Sequence, residues 1–147
     1  MSQSDQKVVQ LLIQRGADVN APDRGHSTPL HMASSKGNAK IVRQMIEHEA
    51  DVNARDQAHS TPLHLASSMW TGDAKTVELL LQHGADVHAQ DQNRSTPLHL
   101  ASHQGNAETV WLMIEHGADV NALDGDHKTP LHLTLSRVSV KATILLM

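Results

Sequence analysis

The chain has 147 residues, of which 39% are hydrophobic, with no cysteine and a formal net charge of −4. The lack of cysteine excludes disulfides, thiolate metal sites and a cysteine nucleophile, and the dispersed negative charge argues against nucleic-acid binding. The polar start of the chain and the absence of a long apolar run predict neither a signal peptide nor a membrane span. We therefore expect a cytoplasmic location, with the nucleus as the alternative.

The first predicted element is a helix within residues 1–23. Its apolar residues Val9, Leu12 and Ile13 follow the i, i+3, i+4 spacing of an amphipathic helix. Gly16 follows as a suitable left-handed C-terminal cap. No second helix is predicted before residue 24, so this segment is a half unit.

Two sequence tags recur together along the chain. The first tag has spacings of 33, 35 and 33 residues, and its four copies are Thr28-Pro29-Leu30-His31, Thr61-Pro62-Leu63-His64, Thr96-Pro97-Leu98-His99 and Thr129-Pro130-Leu131-His132. The second tag is Gly16-Ala17-Asp18-Val19, repeated from Gly84 and Gly117, with Glu49-Ala50-Asp51-Val52 as an imperfect copy. Each Thr-Pro pair predicts a helix start, with threonine as N-cap and proline in the first turn.

Each first helix is followed by a predicted second helix that repeats the apolar stripe of the half unit. The stripes are Val42, Met45, Ile46; Val77, Leu80, Leu81; and Val110, Met113, Ile114. A single pair of helices is too small to bury such a stripe, so neighbouring pairs must stack.

The T-P-L-H-x-A tag at a period near 33 resembles the ankyrin repeat. The resemblance implies an all-α solenoid of stacked helix-turn-helix units joined by short hairpin-like turns. It implies one ankyrin-repeat domain over residues 1–147, divided into a half repeat (1–23), three repeats (24–56, 57–91, 92–124) and a truncated repeat (125–147).

Several positions depart from this pattern. Glu49 replaces the cap glycine, and Val138 replaces the glycine between the two helices, so both are expected in a left-handed conformation that a Cβ disfavours. Two extra residues around Trp70 predict an outward bulge. We expect Trp70 to pack over the helix ends, with an exposed partner anchor as the alternative, and we expect Trp111 to be the more exposed indole.

The two ends of the chain carry apolar residues that no further unit covers. They are Val8, Leu11 and Leu12 in the half unit and Ile144, Leu145 and Leu146 near the other end. Such ends are expected of a segment cut from a longer array, or of a chain that covers its ends by homo-association.

Twelve histidines invite a metal or acid–base hypothesis. The resemblance gives the four T-P-L-H histidines a structural role, hydrogen-bonded to the backbone between adjacent turns. His26, His59 and His127 replace a turn glycine, and a metal site shared by His26 and His59 is the less favoured alternative. No catalytic motif is present, so we predict no enzymatic activity, no cofactor and no metal.

Three asparagines, Asn20, Asn53 and Asn121, share the context Asp-Val-Asn-Ala. This context resembles the asparagine that is hydroxylated in some ankyrin repeats, but a turn-stabilising role is preferred. The recurring acids Asp23, Asp56, Asp91 and Asp124 are predicted to bond their own turns.

The resemblance implies a non-enzymatic protein–protein interaction scaffold that binds another protein on its concave face, without nucleic acid or membrane. Two alternatives remain: a regulatory or targeting segment of a larger enzyme or signalling protein, and an engineered ankyrin scaffold. The irregular Glu49 and the insertion favour a natural origin. The partner-binding residues that follow from the family's turn tips and first helices are Arg24, Ser27, Ser35, Lys36, Gln57, Ser60, Ser68, Met69, Trp70, Gln92, Asn93, Ser95, His103, Gln104, Asp126 and Lys128.

Overall fold

The structure is a computed structural model that describes residues 2–69 and 74–146, the last eight of these by their backbone only. Within these ranges the chain forms eight helices and no strand, which confirms the all-α prediction. The helices are α1 (Gln3–Gln14), α2 (Pro29–Ser35), α3 (Ala39–Glu47), α4 (Pro62–Ser67), α5 (Ala74–Gln82), α6 (Pro97–Gln104), α7 (Ala107–Glu115) and α8 (Pro130–Leu146). In this part of the chain, no helix is long and apolar enough to cross a bilayer.

The helices begin where the capping residues predict. Thr28 and Thr61 cap α2 and α4 by accepting the backbone N–H of His31 and His64, and a proline follows each threonine as the first helical residue. The outer helices α3 and α7 begin after Asn38 and Asn106, whose side chains accept the N–H of the third helical residue. Local sequence therefore sets where each unit starts.

The helices stack in two layers. The inner helices α2, α4, α6 and α8 pack on one another in chain order, and so do the outer helices α1, α3, α5 and α7. The fully buried side chains of the core come from both layers and include Leu30, Leu63, Leu80, Leu98 and Met113. The core is thus a continuous strip shared by the first four units, as stacking requires.

Two series of left-handed backbone positions each recur in four of the five units. Glu49 has a φ of 64°, close in sign and place to Gly16 (90°), Gly84 (86°) and Gly117 (86°), which confirms that it occupies a glycine-like conformation. A second series lies in the turns before the inner helices, where His26, His59, Arg94 and His127 have φ between 58° and 60°. Arg94 was missed as the fourth member because only its histidine counterparts were recognised.

The expectation for Val138 was wrong. Helix α8 runs without a break from Pro130 to Leu146, so Val138 is helical and not left-handed. Gly105, its counterpart in the previous unit, has a φ of 74° and ends α6. A β-branched valine cannot adopt that conformation cheaply, and without the glycine the helix continues where the other units turn.

The prediction for Trp70 and the tip of the insertion lies outside the described residues. Trp111 is 59% exposed on α7, in agreement with its predicted outer position. Its counterparts on the other outer helices are Arg43 and Glu78.

Candidate functional site

The turns that precede the inner helices are each built around one aspartate. The Asp23 carboxylate accepts the N–H groups of Gly25 (2.8 Å) and Ser27 (3.0 Å). The same pair of bonds recurs at Asp56, Asp91 and Asp124. These aspartates therefore satisfy their own turns, and their structural role is as predicted.

Asp124 is nearly buried, and burial on its own would raise the pKa of its carboxyl group. The backbone N–H groups of Lys128 and Asp126 stabilise the charged form and leave the pKa below its usual value.

The histidines of the first three T-P-L-H tags each join two units. Nδ1 of His31 accepts the backbone N–H of Thr28 (3.1 Å) and lies 2.9 Å from the threonine hydroxyl. Nε2 lies 3.0 Å from the carbonyl of Ser60 in the next unit. Since a carbonyl only accepts, Nε2 carries the proton and Nδ1 is free to accept. The same arrangement links His64 to Ser95 and His99 to Lys128.

His64 is fully buried. Burial disfavours the charged imidazolium and lowers the pKa of His64, although the bond to the Ser95 carbonyl acts in the opposite direction. A proton on Nδ1 would also face the Thr61 N–H, which needs an acceptor there. The geometry and the pKa shift both favour the neutral side chain.

Two of the three asparagines in the Asp-Val-Asn-Ala context form a second link between units. Asn20 donates to the carbonyl of Glu49 (3.0 Å) and accepts the N–H of Asp51 (2.8 Å). Asn53 makes the same two bonds to Gly84 and Asp86. We call this pair of bonds the asparagine clamp. The clamp supports the turn-stabilising interpretation of Asn20 and Asn53.

The third unit has His88 where the other units have asparagine. Within the described residues, its side chain makes no bond to the next unit. The junction between the third and fourth units therefore lacks the asparagine clamp, and it keeps the bond from His64 to Ser95.

The turn tips are joined by one backbone bond per junction. The N–H of Gln57 donates to Gly25 (2.9 Å), that of Gln92 to Ala58 (2.9 Å) and that of Gly125 to Asn93 (2.8 Å). These bonds hold neighbouring turn tips against each other, so equivalent side chains on successive tips are one unit apart.

A comparison with family models shows what this repeated architecture is. The model described as "Ankyrin repeats (3 copies)" matches residues 1–91 and 69–147. The chain belongs to the ankyrin-repeat family. No curated protein matches the chain. Ankyrin repeats in general are protein–protein interaction modules and are generally not enzymes.

The ankyrin frame places the predicted partner-binding residues in two rows. The first row lies at the turn tips, where the side chains of Arg24, Gln57, Gln92, Asn93, Asp126 and Lys128 are exposed and Ser27, Ser60 and Ser95 are half-buried. The second row lies at the C-terminal ends of the inner helices, with Ser35, Lys36, Ser68 and His103 exposed and Met69 and Gln104 half-buried. Trp70 lies outside the described residues.

The backbone groups of the turn serines Ser60 and Ser95 are used in hydrogen bonds within the stack. The carbonyl of Ser60 accepts both the Asp56 N–H and His31 Nε2, and its own N–H donates to Asp56. Ser95 has the same pattern. Only their side chains remain available to a partner.

An apolar row on the inner helices was not predicted. Met32, Leu65, Leu100 and Leu133 occupy the fifth position of the tag, and Met32 is 54% exposed while the others are half-buried. Met32, Leu65 and Leu100 each lie three and four residues before two members of the second row, so the two rows share one helix face. This spacing of three and four residues is visible in the sequence and could have identified the apolar row. We call the apolar row and the second row together the inner-helix face.

No group of three or more metal-ligating side chains occurs in residues 2–69 and 74–146.

Proposed function

We propose that the protein is a non-enzymatic interaction scaffold that binds another protein through its inner-helix face and turn tips, on the concave side of the stack. The proposal includes a cytoplasmic location, with the nucleus as the alternative. A cysteine-free chain that owes its stability to stacked helices suits a reducing compartment.

The observation that carries the proposal is the exposed apolar row headed by Met32. The turns and junctions satisfy their own hydrogen-bonding groups, whereas this row leaves one apolar side chain on each inner helix exposed, as at Met32, or half-buried, as on the other three. Hydrogen-bonding side chains such as Lys36 and His103 flank the row. An apolar centre with a polar rim is the usual composition of a protein-binding surface.

The hydroxyl groups on this face have a further property. Ser35 and Ser68 each donate to the carbonyl three residues earlier, at 2.9 Å, which is the carbonyl of the apolar row residue in that unit. Their oxygens are therefore directed by the helix and still have lone pairs for a donor on the partner.

The test is affinity capture on the immobilised chain, identification of the retained protein, and titration of that purified protein by calorimetry. Met32→Asp should weaken binding by about tenfold or more, because a carboxylate buried without a partner costs about 1–3 kcal/mol. Trp111→Asp is the matched control, since it changes an equally exposed apolar side chain on the outer layer. Binding that survives Met32→Asp and is lost in Trp111→Asp would place the site on the outer layer and overturn the proposal.

A further inference from the structure

Within residues 2–23, the first ankyrin unit contributes the outer helix α1 and no inner helix. In every other outer helix, the position of Leu12 is buried against the inner helix of its own unit: Met45 is 7% exposed, and Leu80 and Met113 are fully buried. Leu12 itself is 57% exposed. It lines an apolar groove of about 180 Å³ together with Val9, Ile13, Val19, Pro29 and Met45.

The last unit has the opposite defect. Helix α8 packs on the inner helix α6, and within residues 125–146 no outer helix accompanies it. Leu131 is 65% exposed, whereas its counterparts Leu30, Leu63 and Leu98 are at most 2% exposed. The face that α2, α4 and α6 bury within their own units is therefore open on α8.

The two defects are complementary, because an inner helix that lacks its outer helix and an outer helix that lacks its inner helix make one complete unit. We propose that a second copy of this chain docks its α1 against α8 of the first, so that Leu12 of one molecule covers Leu131 of the other. The contact continues the stack of units across the junction between two molecules. It lies at the ends and does not involve the inner-helix face of the proposed function.

Polar groups at the two ends could also pair when two molecules stack in the register of the internal junctions. At internal junctions the T-P-L-H histidine donates to the carbonyl before the next tag, as His31 does to Ser60. His132 is exposed, with Nδ1 held by Thr129 and no described acceptor for Nε2. The corresponding carbonyl is that of Ser27, which receives only the N–H of Asp23.

The asparagine clamp gives a second and independent match. The Asn121 side chain has no bond to another unit among the described residues, whereas Asn20 and Asn53 both make the clamp. The groups that Asn121 would clamp in a second copy are the carbonyl of Gly16 and the N–H of Asp18. Both correspond to the groups used by Asn20 and Asn53, and both lie directly after α1.

This contact uses a different surface on each molecule, so it is heterologous. A heterologous contact leaves one unpaired α1 and one unpaired α8 on every assembly. The assembly therefore grows beyond a dimer unless a ring closes. A two-fold contact between two copies of α1 would stop at the dimer.

The experiment is sedimentation velocity of the 147-residue chain over a concentration series, with two variants that each block one end. The wild-type average mass should rise past the dimer. Leu12→Asp and Leu131→Asp should each stay monomeric alone, and an equimolar mixture of the two should form a 1:1 dimer and nothing larger. Both substitutions change exposed side chains, and melting curves followed by circular dichroism verify that the variants remain folded.

Two further variants refine the test. His132→Ala should weaken association about fivefold, the equivalent of one hydrogen bond. Trp111→Asp should leave association unchanged, since Arg43 and Glu78 at the same position face solvent at internal junctions. A wild-type chain that stays monomeric, a mixture that stays monomeric, or either end variant associating alone would overturn the head-to-tail contact. Partner capture by the Leu12→Asp variant reports on the proposed function separately.

Discussion

Replacing Glu49 with glycine is expected to stabilise the protein. Glu49 stands at a helix end with a φ of 64°, where three other units have glycine. Its side chain is exposed and forms no described hydrogen bond, while its carbonyl accepts from Asn20. The substitution therefore removes a strained Cβ and leaves the asparagine clamp in place.

The size of the gain follows from two opposing effects. A left-handed conformation costs an L-residue about 1–2 kcal/mol. Glycine also gives the unfolded chain more freedom, which offsets about 0.4–1 kcal/mol of the gain. The free energy of unfolding should therefore rise by about 0.5–1 kcal/mol.

Equilibrium urea unfolding of wild type and Glu49→Gly measures this difference. Gly84→Ala is the reverse control, because a Cβ at Gly84 would meet no atom within 4 Å and its cost reports the backbone alone. It should lose about 1 kcal/mol. If Gly84→Ala loses stability while Glu49→Gly is no more stable than wild type, the strain argument for Glu49 is refuted.

Three further results are expected from urea unfolding. Leu80→Ala should cost about 2–5 kcal/mol because it leaves a cavity in the shared core. Glu78→Ala, which changes a side chain that is 39% exposed, should change stability by no more than about 0.5 kcal/mol; similar losses would mean that the buried face of α5 is wrongly assigned. His64 has a lowered pKa in the folded protein, so the unfolded chain takes up the proton first. Its contribution to stability is complete above the ordinary histidine pKa of about 6.5 and is lost as the pH falls below it; a wild-type curve as pH-dependent as that of a folded His64→Gln variant would contradict this. Asn53→Ala should lose about 1–2 kcal/mol with the clamp and Asn121→Ala, measured at a concentration where the chain is monomeric, should lose almost nothing; equal losses would show that the clamp does not account for the effect.

The sequence predicts the inner layer well because its signals are local. Each threonine cap, proline and T-P-L-H histidine lies within four residues of the helix start that it specifies. The apolar stripe of each outer helix likewise identifies its buried face, as at Val42 and Met45.

Features that depend on a missing neighbour were harder to predict. Gly105 allows the chain to turn after α6. Whether the chain turns at Val138 or the helix continues depends on whether an outer helix forms after the turn and stabilises it by packing. The exposure of Met32 depends in the same way on what the adjacent inner helix covers. To predict that the clamp is absent at His88, one would need to know which backbone groups Asn20 and Asn53 bind. The spacing of residues in the sequence does not show this.

The asparagine clamp spans the first two junctions and is missing from the third and the fourth among the described residues, so it divides the array energetically. In a linear stack, each unit is protected from opening by its two neighbours, so the weakest junction decides where the stack separates. Amide hydrogens of the fourth and fifth units should then exchange with solvent together and faster than those of α2 to α5. Under a stretching force applied at the two termini, the unclamped units should separate before the clamped ones, and the molecule should lengthen in two unequal steps.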